Sequence, residues 1–304
     1  MRWFTRSRVV RALAVVLTLV AAAAIVTLTA VFTYRHTSRH AFVPPLSTRP
    51  PAQAPAAPGA SATNSPEGLA AEFGQLETSL QAKMGIAISA VGNGQSVTTW
   101  GDWQEGPAWS TIKVPLVIAA YRHQEPRQVS DLMKLAITES DNTAAESLWE
   151  QLGDPTTAAE QVQQILQQTG DPTTVEARKV RPEFSAFGQT IWSVVNQVRF
   201  TASAFCDSEN GPIFDLMSQV TPDQNWGIGK IAQTQFKGGW GPSKSDKYLV
   251  RQIGVLTTPA GKAAVAIAAE PASGSFGDGT KDLNEVAKWL NNHLEALPAG
   301  RCGR

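Results

Sequence analysis

The sequence is poor in the residues that hold metals and cofactors. It contains two cysteines, Cys206 and Cys302, and four scattered histidines. No C-x-x-C or H-E-x-x-H spacing occurs, so we expect no metal centre. A glycine-rich phosphate loop and a dinucleotide fingerprint are also missing, which argues against a nucleotide enzyme. We therefore expect a protein that works without a cofactor.

Acidic side chains are absent before Glu67, and residues 1–66 hold seven arginines, although the whole chain has 26 basic and 26 acidic residues. Residues 67–304 therefore carry 19 basic against 26 acidic side chains. A nucleic-acid-binding protein needs a clustered basic face, and an acidic body lacks one. We exclude nucleic acid as a partner.

Residues 12–32 form an apolar run without a charge. A helix of that length spans roughly 31 Å at about 1.5 Å per residue, which matches the hydrocarbon core of a bilayer. Arginines 2, 6, 8 and 11 precede the run, so the positive-inside rule places the amino terminus in the cytoplasm and the rest outside. We predict that residues 1–42 hold a basic tip, a transmembrane signal anchor and a juxtamembrane segment. If the segment is instead a cleaved signal, the protein is secreted.

Residues 43–66 contain seven prolines among small and polar residues. This composition forms no core, and it is compatible with an extended stalk or with a linker of no preferred reach. Residues 67–304 then form the folded domain. Outside the cytoplasm Cys206 and Cys302 could pair, but the sequence does not decide whether their geometry allows it.

The pattern of the domain predicts an α+β fold of the α/β sandwich type. A helical stripe from Leu69 to Leu80 is followed by two short β-rich runs around Gly92-Asn93-Gly94, which is typical of a hairpin. Residues 110–220 are helical in pattern, and residues 235–240, 248–258 and 262–270 indicate three more strands. An amphipathic helix over 282–297 ends the domain. We expect a five-stranded antiparallel sheet flanked by N- and C-terminal helices, with an inserted all-helical subdomain and a cleft between them.

A serine and a lysine at positions i and i+3, Ser110 and Lys113, lie where the strand pattern gives way to helix. Such positions share one helix face, so the hydroxyl and the amine can approach each other. Serine is a weak nucleophile without a base, and lysine is a base only if its surroundings favour the neutral amine. An S-x-x-K spacing alone is common by chance.

Two later motifs give the pair a context. Ser140-Asp141-Asn142 follows further along the chain, and Lys237-Gly238-Gly239 lies on a predicted strand. Serine acyl-enzymes of one group carry S-x-x-K, S-D-N and K-T-G in this chain order. The run from Ala136 to Ala145, together with this order, resembles class A β-lactamases of the penicillin-recognising serine enzyme family, whose fold is of the β-lactamase/transpeptidase type.

The resemblance implies a role for each matching residue. Ser110 would be the acylated nucleophile, Lys113 its proton acceptor, and Ser140 the relay to the leaving nitrogen. Lys237 would supply positive charge near Ser140 and the substrate carboxylate. Asn142 would hold the substrate amide, and the backbone of Gly239 and Trp240 would border the substrate, with the N–H groups of Ser110 and Trp240 forming the oxyanion hole.

Two departures from the family pattern bear on activity. Gly238 replaces a hydroxyl residue that would donate to the substrate; Arg251 on the next strand could recruit the carboxylate instead, or could be a solvated arginine. Arg181 stands where class A enzymes carry the glutamate that activates the deacylating water. Glu183 or Glu176 could replace it if the loop is rearranged, or both could be surface charges.

Three functions remain open from the sequence. The first is a membrane-anchored extracytoplasmic serine hydrolase that is acylated by β-lactams or wall-peptide-like amides and esters and deacylates slowly. The second is a catalytically weak or inactive penicillin-binding or wall-binding module of the same fold. The third, a structural stalk protein, explains the segment before Glu67 and nothing after it.

Overall fold

The computed structural model describes residues 65–303, and these form a main sheet covered by helices on both faces and a small second sheet. The predicted anchor over residues 12–32 and most of the proline-rich linker lie outside the described residues, so both stay predictions. Among residues 65–303, no helix is both long enough and apolar enough to cross a bilayer.

Eight helices and seven strands make up this part of the chain, besides short 3₁₀ and π turns. In chain order they are α1 (Pro66–Ser79), β1 (Ala82–Ala90), β2 (Thr98–Trp100), β3 (Glu105–Pro107), α2 (Lys113–His123), α3 (Asp131–Lys134), α4 (Asn142–Gln151), α5 (Pro155–Gln168), β4 (Ile191–Ser193), α6 (Val194–Phe205), α7 (Gly211–Met217), β5 (Gln235–Pro242), β6 (Tyr248–Thr258), β7 (Gly261–Pro271) and α8 (Phe276–Asn292).

The main sheet has five antiparallel strands in the order β2-β1-β7-β6-β5, which confirms the predicted sheet. Its central strand β7 is apolar on both faces, since Val265 and Ile267 face one core and Ala264, Ala266 and Ala268 face the other. A sheet buried on both sides needs such a continuous apolar run. The small residues on the second face let a helix pack closely there.

The two terminal helices pack together against one face of the sheet, as the sequence predicted. Ser65 caps α1 by accepting from the N–H of Gly68, and Leu69 and Phe73 are its buried residues. The last helix α8 begins earlier than predicted, because Ser275 caps it through the N–H of Asp278. The apolar stripe marked the buried face of α8, whereas the cap decided where the helix begins.

The helical part is inserted between β3 and β5 and is built around α2. Every residue of α2 from Lys113 to Ala120 is buried, and α2 packs against α4 and α5. The expectation that residues 110–220 contain no strand is wrong at Ile191–Ser193, where β4 pairs with β3 in a small second sheet. This pairing is non-local, and so short a strand gives too little pattern to be found in advance.

The other sheet face is covered by α6, whose C-terminal cap residue Cys206 is disulfide-bonded to Cys302 with a Cα–Cα distance of 5.1 Å. The bond fastens the end of the chain to the edge of the helical part. The sequence did not decide whether Cys206 and Cys302 can pair, and the structure shows that they do.

Candidate active site

Ser110 lies in a 3₁₀ turn, Trp109–Ile112, directly before α2. Trp109 precedes it with a φ of 50°, a left-handed conformation that is costly for a bulky residue, on the order of 1–3 kcal/mol. Its ring is held by Phe184 at a centroid distance of 4.9 Å and lies against Gly241, where a Cβ would come within 2.5 Å of the indole. Packing therefore fixes a strained turn that presents the serine.

The hydroxyl of Ser110 makes no hydrogen bond with any residue from 65 to 303 and lines a cleft of about 450 Å³. The cleft lies between the helical part and strand β5. Of the predicted site residues, Lys113, Ser140, Asn142 and Trp240 line the same cleft. A hydroxyl without a protein partner is free to meet a substrate.

Lys113 is buried at the first position of α2, and its Nζ donates to three oxygens of the Ser140–Asn142 loop. These are the carbonyl of Ser140 at 2.5 Å, the carbonyl of Asp141 at 3.2 Å and Oδ1 of Asn142 at 2.7 Å. Ser140 directly follows a π-helical turn over Leu135–Glu139 and has a φ of 58°. This backbone conformation lets the loop offer both carbonyls to Lys113. Asp141 caps α4 through the N–H of Ala144, so it holds the loop.

Burial lowers the pKa of Lys113 to about 7, although the negative charges of Asp141 and Glu146 act to raise it. At pH 7 roughly half of the amine is then neutral, against about one part in 3,000 for an amine with the usual value. The three donated hydrogen bonds use all the N–H groups of the charged amine, whereas the neutral amine keeps two of them and has a lone pair that can accept a proton. The site thus supplies a base of suitable strength one helical turn from Ser110.

Lys237 is fully buried on β5, and its Nζ donates to Oγ of Ser140 at 2.8 Å and to the carbonyl of Gly238 at 2.8 Å. Burial, and then the charge of Lys113, hold the pKa of Lys237 well below its usual value. Ser140 therefore lies between the two lysines, touching one through its carbonyl and the other through its hydroxyl. Hydrogen bonds to Ser140 thus bring the two buried lysines close to each other.

Strand β5 passes directly beside Ser110, and Gly239 allows this approach. A Cβ at Gly239 would lie 2.9 Å from the backbone nitrogen of Ser110 and 2.9 Å from that of Thr111. Two successive backbone N–H groups of the turn thus meet the strand that carries Trp240.

Gly238 faces Trp226, a contact that the sequence did not reveal. A Cβ at Gly238 would come within 2.9 Å of Cζ2 and 3.1 Å of Cη2 of the Trp226 ring. The ring occupies the space that a hydroxyl side chain would need. The third motif therefore lacks a hydroxyl residue, and the Trp226 ring leaves no space for one.

The expectation that Arg251 binds a substrate carboxylate is wrong, and so is the alternative of a solvated arginine. Arg251 is fully buried and does not line the cleft. Its guanidinium donates to the carbonyls of Gly106, Pro107 and Trp192 and to Oε1 of Gln197. Burial lowers its pKa to about 9. Arg251 ties the small sheet and α6 to β6, which is a structural role.

Arg181 does not reach the cleft either. Its guanidinium lies over the rings of Trp109 and Phe184, at 5.3 and 4.7 Å, and donates to the carbonyl of Pro242. Glu183, two positions on, is exposed and lines the cleft, whereas Glu176 bonds Arg178 and does not line it. The arginine thus braces the strained turn before the nucleophile.

Sequence reasoning missed several residues of the cleft wall. Glu146 and Lys179 line the cleft and form an ion pair at 3.4 Å. Glu146 follows Asn142 by one helical turn on α4, so helical spacing placed it on the same face and could have identified it. Among residues 65–303, no group of three or more His, Cys, Asp or Glu side chains that could hold a metal ion is found.

Comparisons with known proteins agree with this architecture. The model of the β-lactamase enzyme family matches residues 123–205, a range that includes Ser140 and Asn142 but not Ser110, Lys113 or Lys237. No curated protein is similar to the chain in sequence.

Solved structures resemble the chain over a much longer stretch than the family model matches. The TLA-3 extended-spectrum β-lactamase superposes with a TM-score of 0.61 at 14% identity, covering 76% of this chain and 99% of its own. A class A β-lactamase of Bacteroides cellulosilyticus has a TM-score of 0.61 at 16% identity, covering 75% and 97%. A β-lactamase of Sphaerobacter thermophilus has a TM-score of 0.57 at 19% identity, covering 77% and 99%. The chain therefore has the class A β-lactamase fold.

Proposed function

We propose that this protein is a serine hydrolase that forms an acyl-enzyme on Ser110 with β-lactams or with related amides and esters, such as wall-peptide-like substrates. The observation that carries the proposal is the buried Lys113, whose pKa of about 7 makes it a base at neutral pH beside a cleft serine with an unengaged hydroxyl.

Acylation would begin with transfer of the Ser110 Oγ proton to the neutral amine of Lys113 as Oγ bonds to the substrate carbonyl carbon. The carbonyl electron pair moves to its oxygen, which the N–H groups of Ser110 and Trp240 would stabilise. Each such donor is worth about 2.7–4 kcal/mol in known cases. Collapse of this intermediate breaks the C–N bond. Ser140 would pass its hydroxyl proton to the nitrogen and take a replacement proton from Lys237, which donates to its Oγ, while Lys113 keeps the proton of Ser110.

Asn142 fits the role of substrate-amide ligand, since it lines the cleft and its Oδ1 is oriented by Lys113. Five aromatic rings would form the walls around the substrate side chain: Trp109, Phe184, Phe187, Trp240 and Tyr248. Apolar walls with few polar groups are typical of small-molecule sites.

A catalytically weak or inactive penicillin-binding module is the second candidate. One observation favours it, because the amine of Lys113 donates to three oxygens, none of which is the Ser110 hydroxyl. The loss of a hydroxyl residue at Gly238 points in the same direction. We expect acylation to occur all the same, and deacylation to be slow.

Intact-mass spectrometry of the full-length chain with benzylpenicillin separates the two candidates. The hydrolase gains the mass of the whole β-lactam, and Ser110→Ala abolishes the gain. Ser185→Ala is the matched control, since it removes another hydroxyl that lines the cleft and should leave the adduct unchanged. No adduct on the wild-type chain at millimolar probe would favour the binding module.

We further propose that residues 12–32 anchor the protein in a membrane, with the catalytic domain in the cell envelope. The Cys206–Cys302 disulfide supports this location, because such bonds persist in oxidising compartments. Protease added to intact spheroplasts should then digest the domain, while a cytoplasmic marker survives. Protection of the domain in intact spheroplasts would refute the location.

A further inference from the structure

An acyl-enzyme on Ser110 must still be hydrolysed, and what we infer about this step rests on the proposed function. An ester is released only when water attacks it, and the water must give up a proton. Lys113 has already taken the serine proton by then. A second proton acceptor has to reach the cleft.

Carboxylates are scarce at this cleft. Within residues 65–303, two of them line it, Glu146 and Glu183. The position that the resemblance assigned to a glutamate holds Arg181, which does not line the cleft and whose guanidinium is engaged by two rings and a carbonyl. The choice is therefore between these two glutamates.

Glu146 lies on the side of the cleft that is formed by helix α4. It follows Asn142 by one helical turn on α4, so it faces the same way as the amide that bonds Lys113. Its side chain is 29% exposed, and it interacts electrostatically with Lys113. The carboxylate is thus partly buried, accessible from the cleft and close to the catalytic amine.

Lys179 forms an ion pair with Glu146 at 3.4 Å from the opposite wall. With Lys179 54% exposed, such a pair is worth at most about 1 kcal/mol, too little to withdraw the carboxylate from a water molecule. The ion pair holds the side chain of Glu146 near the loop that follows α5 and carries Lys179. Glu183, in contrast, is exposed within the turn from Arg181 to Phe184, and its carboxylate makes no hydrogen bond or ion pair with residues 65–303.

We propose that Glu146 is the general base of deacylation. It accepts a proton from a water whose oxygen bonds to the acyl carbon. The tetrahedral intermediate then collapses, the bond from the acyl carbon to Oγ of Ser110 breaks, and the proton passes from Glu146 to Oγ. The products are a free carboxylic acid and the regenerated serine, so no other reactant is required.

The test follows the lifetime of the adduct on the full-length chain. The protein is acylated with benzylpenicillin, excess probe is removed, and intact mass is recorded over time. Glu146→Gln should acylate normally and lose the adduct at least about tenfold more slowly than the wild type, because general-base catalysis is worth 10²–10⁴-fold. Glu183→Gln, the matched control, should keep the wild-type lifetime, and Glu146→Asp should fall between.

A second measurement tests whether the carboxylate of Glu146 lies close enough to Lys113 to act on it. Glu146 raises the pKa of Lys113, so Glu146→Gln should move the midpoint of the acylation rate against pH to lower pH. Glu183→Gln should leave the midpoint in place. A normal adduct on Glu146→Gln with an unchanged lifetime overturns the assignment alone, as does a wild-type adduct that never decays. A wild-type chain without any adduct overturns the proposed function and this assignment together.

Discussion

Removal of the buried amine in Lys113→Met should change how the stability of the protein depends on pH. The pKa of Lys113 is about 7 in the folded protein, against 10.5 for the unperturbed group. Between these values the unfolded chain binds more protons than the folded one. Stability therefore rises with pH through this window, and the penalty for burying the amine is complete below pH 7 and gone above pH 10.5.

The size of the effect follows from the same two values. One pKa unit corresponds to about 1.4 kcal/mol, so the full penalty is on the order of 5 kcal/mol. From pH 7 to pH 9 the wild type should gain about 2 kcal/mol in unfolding free energy relative to Lys113→Met. Below pH 6 the two curves should run parallel. Part of the difference is offset by Lys237, whose pKa rises when the charge of Lys113 is removed.

Urea unfolding followed by tryptophan fluorescence at several pH values measures this difference. Lys288→Met is the control, since it removes an exposed amine of α8 and should leave the pH profile of the wild type unchanged. Loss of the three hydrogen bonds of Lys113 shifts the variant by an amount that is constant with pH, so the slope isolates the titration. Parallel curves between pH 7 and pH 9 would refute a lowered pKa, and with it the role of Lys113 as a neutral base.

Three further changes test other parts of the site. Gly239→Ala places a methyl group 2.9 Å from the backbone nitrogen of Ser110. We expect it to reduce labelling by a fluorescent penicillin at least about tenfold. Undiminished labelling would contradict the close approach of β5. Gly238→Thr restores the hydroxyl that the third motif lacks, and from the motif alone it would be expected to raise activity. In this structure it must displace Trp226, so it should lower the free energy of unfolding by about 1–3 kcal/mol. Faster acylation with an unchanged melting temperature would contradict this. Cys206→Ser opens a disulfide that spans 96 positions and should cost about 2–5 kcal/mol in urea unfolding. An unchanged midpoint would mean that the bond does not constrain the unfolded chain.

The fold was largely predictable because its signals are local. Strand β7 carries a long apolar run, and the stripe of α8 has the spacing of a helix. The small β3–β4 sheet was not predictable, because so short a strand is defined by its partner. The start of α8 was misjudged since its cap at Ser275 lies outside the apolar stripe.

Within the site, the sequence by itself determined the motif residues, since Ser110, Lys113 and Ser140 stand in a recognisable order. Only the tertiary structure decided which charged groups face the cleft. Arg251 is turned inward to carbonyls of the small sheet, Arg181 is held over aromatic rings, and Glu146 enters the cleft beside Lys113. The physical reason is that chemical type follows from the residue itself, whereas burial, direction and pKa depend on neighbours brought from distant parts of the chain.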